Sequence, residues 1–338
     1  MYDVLSIGEM IIDFMPQETG VTLDKVPGFQ KAAGGAPANV AVGVAKLGGR
    51  AAFLGKFSAD PFGDYLLETL RAHGVDTSGC VRTQEAKTGL AFVAIDEAGD
   101  RSFHFYRNPS ADMLLEEADI SEELIKQARV IHIGSVTQLL QDAFRATVKA
   151  QQLARTHGVI VSFDVNFRLG LWRGREEEGK AKVRETASLS DLLKVSEEEL
   201  EFLTGTTDLE KGAAELLALG PKIVFVTLAE KGVFYKTQNL QARVMPFRTK
   251  LLDATGAGDG FVAGFLRQLV DRVQGRSLDY SLSISEEIEE MARYANAVGA
   301  LTVSRLGAIP ALPTKQEVYD FMYENRRRIG GGKVGETR

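Results

Sequence analysis

Short, mainly apolar runs rich in β-branched residues lie at residues 4–7, 130–133, 159–163, 192–195 and 223–227. None alternates apolar with polar positions, as expected of strands covered by helices on both faces of a parallel sheet. The last four recur at intervals of roughly thirty residues, the span of a βαβ unit. Helical periodicity occupies residues 37–47, 61–73, 141–157, 209–219 and 288–303, where Ile288, Met291, Ala292, Ala295, Val298 and Gly299 form one stripe. The pattern predicts an α/β fold built on a doubly wound, mostly parallel sheet.

Two segments break that rhythm. Residues 88–96 and 102–106 flank the turn Glu97-Ala98-Gly99-Asp100, and Phe103 and Phe105 alternate with Ser102, His104 and Tyr106 as in a half-exposed hairpin. With residues 11–14 and 21–29 they predict a small β-layer beside the main sheet, a lid of the kind that covers substrates. No Pro/Ser-rich linker or internal repeat divides the chain. The expected organisation is therefore one domain over 1–325, with lid segments near 11–32 and 86–112. A flexible tail over 326–338 carries Arg326-Arg327-Arg328 and Gly330-Gly331-Gly332.

Composition narrows the function. The 338 residues carry a formal net charge of −6, which argues against a nucleic-acid surface. The single cysteine, Cys80, excludes an intramolecular disulfide framework and a cysteine-based zinc site, and points to a reducing compartment. A basic leader and a spanning apolar stretch are both missing from the pattern, so a cytoplasmic location without membrane contact is expected. The histidines His73, His104, His132 and His157 lack metal-ligand spacing, and there is no Gly-x-Ser-x-Gly elbow. The run Gly174-Arg175-Glu176-Glu177-Glu178-Gly179-Lys180-Ala181 nearly matches a phosphate loop. However, Ala181 stands where a magnesium-binding hydroxyl is required, so it reads as a charged helix start.

The expected strand ends carry polar residues: Gly8-Glu9 with Asp13, Asp164-Val165-Asn166-Phe167-Arg168, Ser196-Glu197-Glu198-Glu199, and Thr227. Ligands of open α/β sheets gather at such ends. Most telling is Asp253-Ala254-Thr255-Gly256-Ala257-Gly258-Asp259-Gly260-Phe261, which leads straight into an apolar helix. Its glycines free the backbone to turn N–H groups toward one point, and the helix N-terminus adds positive potential there, forming an anion cradle. Asp259 beside it has two readings: a helix cap, or a base that takes a proton from an attacking hydroxyl. Earlier in the chain, Gly34-Gly35-Ala36-Pro37-Ala38-Asn39 lets the backbone approach a ligand closely, and Asn39 can read a hydroxyl. The same stretch can also be only a tight strand-to-helix connection.

The two glycine motifs together, residues 34–49 and 253–265, resemble the two signatures of the ribokinase-type (PfkB) carbohydrate kinases, and the resemblance runs from Val4 to Thr314. Residues 8–14, 105–114, 164–168 and 307–313 are most similar to the fructose-phosphorylating branch. This resemblance implies a ribokinase-like three-layer αβα fold with a β-sheet lid, and ATP-dependent phosphorylation of D-fructose at the 6-hydroxyl. It implies Asp259 as general base and the N–H groups of Gly256, Ala257 and Gly258 as the anion hole. Asp13, Gly34, Gly35, Asn39, Arg107 and Arg168 match sugar-side positions. On the nucleotide side stand Ser196, Glu199, Thr227, Gly232, Gly258 and Asn296. Glu199 is tied indirectly to Mg²⁺, and Ser196 replaces the family's usual asparagine. Asp253 and Thr255 match a monovalent-cation site, which implies activation by K⁺, and similar proteins form homodimers through the lid. Two alternatives remain: a 2-keto-3-deoxygluconate kinase, whose acidic substrate would pair with Arg107 and Arg168, and a non-catalytic sugar- or nucleotide-binding scaffold. A dinucleotide oxidoreductase has only the generic architecture in its favour, because residues 256–260 lack the βαβ context of a dinucleotide fingerprint.

Overall fold

Neighbouring residues of the central strands enter different cores. Val4 and Val130 join one buried apolar cluster with Val40, Val44, Phe265, Leu269 and Met291. Leu5, Ile7, Ile131 and Ile133 join another with Ala146, Ala150, Val183 and Leu200. Side chains on a strand point alternately to its two faces, so a sheet with a core on each face needs helices on both. That is the expected three-layer αβα arrangement. The computed structural model describes residues 1–95 and 101–330.

The strands are β1 (Tyr2–Ile7), β2 (Ile11–Pro16), β3 (Phe29–Gly34), β4 (Ala51–Ser58), β5 (Asp76–Thr83), β6 (Leu90–Ile95) and β7 (Arg101–Tyr106). They continue with β8 (Ala128–Gly134), β9 (Ile160–Asp164), β10 (Leu192–Ser196), β11 (Ile223–Thr227), β12 (Val233–Thr237) and β13 (Gln241–Val244). Among the described residues they form a nine-stranded sheet, β13-β12-β11-β10-β9-β8-β1-β4-β5, and a four-stranded sheet, β3-β2-β6-β7. All pairings of the large sheet are parallel except β11 with β12 and β12 with β13. The helices are α1 (Ala36–Lys46), α2 (Pro61–Ala72), α3 (Glu122–Lys126), α4 (Gln141–Thr156), α5 (Glu176–Ser188) and α6 (Glu197–Thr204). The remainder are α7 (Leu209–Leu217), α8 (Ala257–Arg272), α9 (Leu278–Ser281), α10 (Ser285–Val303) and α11 (Lys315–Gly330). The near-match to a phosphate loop is the acidic start of α5, as expected.

The small sheet is the expected lid, with one correction. Residues 21–28 contain only a 3-10 turn, Leu23–Lys25, and the strand begins at Phe29 and ends on Gly34. Phe14 pairs across with Lys31 and Phe92, and its ring stacks on Phe92 at 4.8 Å and meets Phe62 of α2 at 6.0 Å. That face of the lid packs toward α2, which places Asp13, the preceding residue, on the opposite face. The expected turn at Glu97–Asp100 lies outside the described residues. Helix α11 runs on to Gly330, so residues 326–330, expected to begin a tail, are helical.

Candidate active site

From β1 the chain builds outward to β4 and β5, then returns to the other side of β1 to lay down β8 through β11. A crevice opens at the carboxyl ends of the strands where the order reverses, here between β1 and β8. Its floor is tied by Thr137 Oγ1, which donates to Glu9 Oε2 at 2.7 Å. Burial raises the Glu9 carboxyl above the usual carboxylate range, opposed by Thr137 and the Arg107 charge.

Helix α8 opens beside this crevice. Gly256 is its N-cap at φ +78°, a left-handed conformation that glycine adopts without steric cost. The Ala257 N–H reaches Ala254 O at 3.3 Å, whereas those of Gly256 and Gly258 bond no backbone carbonyl among the described residues. First-turn donors of this kind, with the helix dipole behind them, make an anion site. The Gly258 backbone also lies against a cation. A Cβ added there would stand 3.0 Å from Lys194 Nζ.

Asp259 does not cap α8, because the N-terminus carries no side-chain cap bond. Its carboxylate turns inward. Asn39 Nδ2 donates to Oδ2 at 2.7 Å and Asn166 Nδ2 to Oδ1 at 3.4 Å. Burial, with the Asp164 carboxylate nearby, pushes Asp259 up to about 6, against the pull of Asn39, Lys194 and Arg168. An acid poised just below neutral pH suits a general base.

Of the residues expected on the sugar side, Gly34 leaves room for a carboxylate: a Cβ there would fall 1.9 Å from Asp13 Oδ2, so a larger residue would displace the Asp13 side chain. Gly35, at φ +119°, brings the chain over the Glu9 carbonyl and into α1, with Pro37 in the first turn. Burial lifts Asp13 to about 7, opposed by Arg168. Asn39 spends one donor on Asp259 and keeps a buried Oδ1 that has no partner among the described residues. Arg168 is exposed at the rim. Arg107, also expected to face the sugar, is partly engaged within the protein. Its guanidinium pairs with Asp112, which also accepts from Ser110 Oγ at 2.6 Å, and only Nη1 is left without a partner among the described residues.

Of the residues expected on the nucleotide side, Ser196 is the N-cap of α6. Its Oγ accepts from Glu199 N at 3.2 Å, and Glu199 Oε2 accepts from Ser196 N at 2.8 Å, a reciprocal capping box. Glu199 Oε1 accepts from Phe167 N at 2.7 Å, so both its oxygens are engaged. Burial raises the Glu199 carboxyl, while Lys194 opposes it. Among the described residues no group of three or more His, Cys, Asp or Glu side chains is placed to hold a metal ion. With both Glu199 oxygens taken by backbone N–H groups, a divalent ion arriving with a nucleotide would draw its ligands from phosphates and water. Thr227 closes β11, where its Oγ1 reaches Val195 O at 3.3 Å, and Gly232 turns at φ +94° against Val244 O. Asn296 faces the end of β13, donating to Val244 O at 3.2 Å and Met245 O at 3.1 Å. Asp253 bonds Thr255 N at 2.7 Å and Gly307 N at 2.9 Å, fastening the glycine turn to the loop after α10.

Sequence reasoning left one cation out of the site. Lys194, in the middle of β10, pairs with Asp164 Oδ1 at 3.0 Å, and Asp164 Oδ2 is buried without a partner among the described residues. Burial works against the ammonium, yet the Asp164, Glu199 and Asp259 carboxylates raise Lys194 above the usual lysine value. Its signal was a lysine inside an otherwise apolar strand, two residues before the strand end.

A backbone anion cradle, a neighbouring ammonium and a buried carboxylate in an open α/β crevice are the parts of a phosphoryl-transfer site. The model of the pfkB family carbohydrate kinases matches residues 1–315, and the chain belongs to that family. It is similar to fructokinase-1 of Oryza sativa subsp. japonica, 44% identical over 320 residues that cover 94% of this chain and 97% of the relative. Among solved structures it resembles the fructokinase of Xylella fastidiosa with bound ATP, at 37% identity and a TM-score of 0.89, covering 96% of this chain and 100% of that one. It also resembles the fructokinase of Vibrio cholerae O395 in its form with fructose, ADP and calcium ion, at 36% identity and a TM-score of 0.84, covering 94% and 98% respectively.

Proposed function

We propose that this protein transfers the γ-phosphoryl group of ATP to the 6-hydroxyl of D-fructose, with Asp259 as the base. The bond from the sugar oxygen to phosphorus forms as the bond to the bridging oxygen of ADP breaks, and the hydroxyl proton passes to the Asp259 carboxylate. The N–H groups of Gly256 and Gly258, with the Lys194 ammonium beside them, face the charge that develops on the transferring group. Asp13 and Asn39 Oδ1 accept hydrogen bonds from sugar hydroxyls. When bound, Mg²⁺ supplies neutralisation of phosphate charge. The observation that carries this reading is that Asp259 sits at the cradle, buried, and is held by two amides instead of capping its helix.

Support for fructose comes from the relatives, which are fructokinases over nearly their full lengths. The keto-acid alternative loses one of its two cations, because Arg107 is already paired with Asp112. A panel of fructose, ribose and 2-keto-3-deoxygluconate with ATP and Mg²⁺ decides between them, and the product is checked for a phosphate at the 6-position. The highest kcat/KM is expected for fructose; a preference for the keto acid would replace this reading. Running the panel in potassium and in sodium at equal ionic strength tests the cation proposed at Asp253 and Thr255. Higher rates in potassium are expected, and equal rates would remove that site.

A further inference from the structure

Asn166 follows β9 in a left-handed conformation, φ +43°. A residue with a Cβ is disfavoured there, whereas glycine adopts it freely and asparagine tolerates it best of the rest. Backbone strain of this kind persists where the side chain has a task. The Asn166 side chain is buried, with Nδ2 on Asp259 Oδ1 at 3.4 Å, while Asn39 Nδ2 takes Oδ2 at 2.7 Å. An ionised carboxylate only accepts, which fixes the amide nitrogens toward Asp259. It leaves Asn166 Oδ1, like Asn39 Oδ1, buried without a partner among the described residues.

We propose that Asn166 is a positioning residue for phosphoryl transfer. With Asn39 on one carboxylate oxygen and Asn166 on the other, rotation of the Asp259 carboxylate is fixed, so that a lone pair faces the acceptor hydroxyl. The two donors come from different elements, one on α1 and one beyond β9. This inference rests on Asp259 being the base. The charged groups that face Asp259 are Asp164 from β9, Lys194 from β10 and Arg168 from the loop beyond β9. Asn166 adds a neutral donor to that set. Its loss removes a hydrogen bond that favours the ionised base, so protonation sets in at higher pH.

The test uses Asn166→Gly in the full chain, a substitution the backbone accepts at φ +43°. Expected is a folded variant with Tm close to wild type, relief of backbone strain offsetting the lost hydrogen bond, and ATP and fructose dissociation constants within about twofold, because no substrate contact is removed. Its kcat falls about tenfold to a hundredfold, the scale of a misplaced reacting group. The acid limb of kcat/KM moves to higher pH. Asn166→Asp also suits this backbone but sets a second carboxylate against Oδ1, and it lowers kcat further at neutral pH. In an Asp259→Asn background, Asn166→Gly changes kcat no further. An unchanged kcat with an unmoved acid limb would overturn the proposal. So would an equal loss in the Asp259→Asn background, or a raised fructose KM at constant kcat, which would make Asn166 a sugar contact. A silent Asn166→Gly beside an inactive Asp259→Asn ends only the positioning role; an active Asp259→Asn ends the assignment of the base itself.

Discussion

Asp259 binds its proton more tightly in the folded chain than in the unfolded one. Between 3.8 and about 6 the native state holds more protons, so this group makes stability fall as pH rises through that window. Keeping it ionised at neutral pH costs the fold about 3 kcal/mol. Such a cost is retained where a proton acceptor is needed. Acidification therefore lowers kcat/KM in two stages: first as Asp13 protonates near 7, then more steeply below about 6 as Asp259 does. A pH–rate profile checks this, and one flat down to about pH 5 would contradict it. Much of the residue scale was legible in the sequence. The glycines at 256 and 258 announce an anion cradle because backbone freedom is written in residue type, whereas the acid after them reads equally as a helix cap until its bonds to Asn39 and Asn166 are seen. Lys194 was not legible, since an isolated lysine in a strand reads as solvent-facing until Asp164 is seen opposite. The pairing of Arg107 was likewise not legible: Asp112, in the adjoining 3-10 turn, takes part of a guanidinium that the sequence leaves free, and Nη1 stays without a partner among the described residues.

At the scale of elements, the lid is joined to the main body by a helix cap. Asp60 caps α2 by accepting from Gly63 N at 2.8 Å, and it also accepts from Thr88 Oγ1 at 2.7 Å and Thr88 N at 3.0 Å, just before β6. Partial burial works against its charge, yet the bonds from Thr88 and Gly63 hold the carboxyl down to about 2. Asp60→Ala should lower stability by about 1–3 kcal/mol, through loss of the cap and of the Thr88 bonds. Asn at this position should retain part of that. Denaturant titration measures both; an unchanged midpoint for the alanine variant would show that the lid is anchored elsewhere. The parallel strands could be read from sequence because burial on both faces leaves continuous apolar runs. Strands β4 and β5 could not. β5 carries Asp76, Thr77, Ser78 and Arg82 at the sheet margin, and β4 contains Ala51, Ala52 and Gly55, whose β-propensity is low although nearly the whole strand is buried. The lid strand β3 was misplaced because Lys31, Ala32 and Ala33 give no strand signal by themselves; pairing with β2 makes the strand.

At the scale of the molecule, the site exists only once the sheet is wound. Asn39 and Asp259 are 220 positions apart, and Asn166 stands 93 from Asp259, so neither contact follows from sequence spacing. The strand-order reversal beside β1, the cradle on α8 and the lid above the first glycine motif bring them together. Asp259→Asn separates the two roles of this carboxylate, because asparagine would serve a helix cap as well as aspartate but cannot take the proton. With Asp259 as the base, kcat falls by roughly 10²–10⁴-fold, the contribution of a positioned base, in a folded variant. ATP and fructose should bind nearly as before, and Tm at neutral pH should be no lower than wild type, since a buried charge has been removed. A folded Asp259→Asn protein turning over within a few-fold of wild type would contradict the assignment of the base.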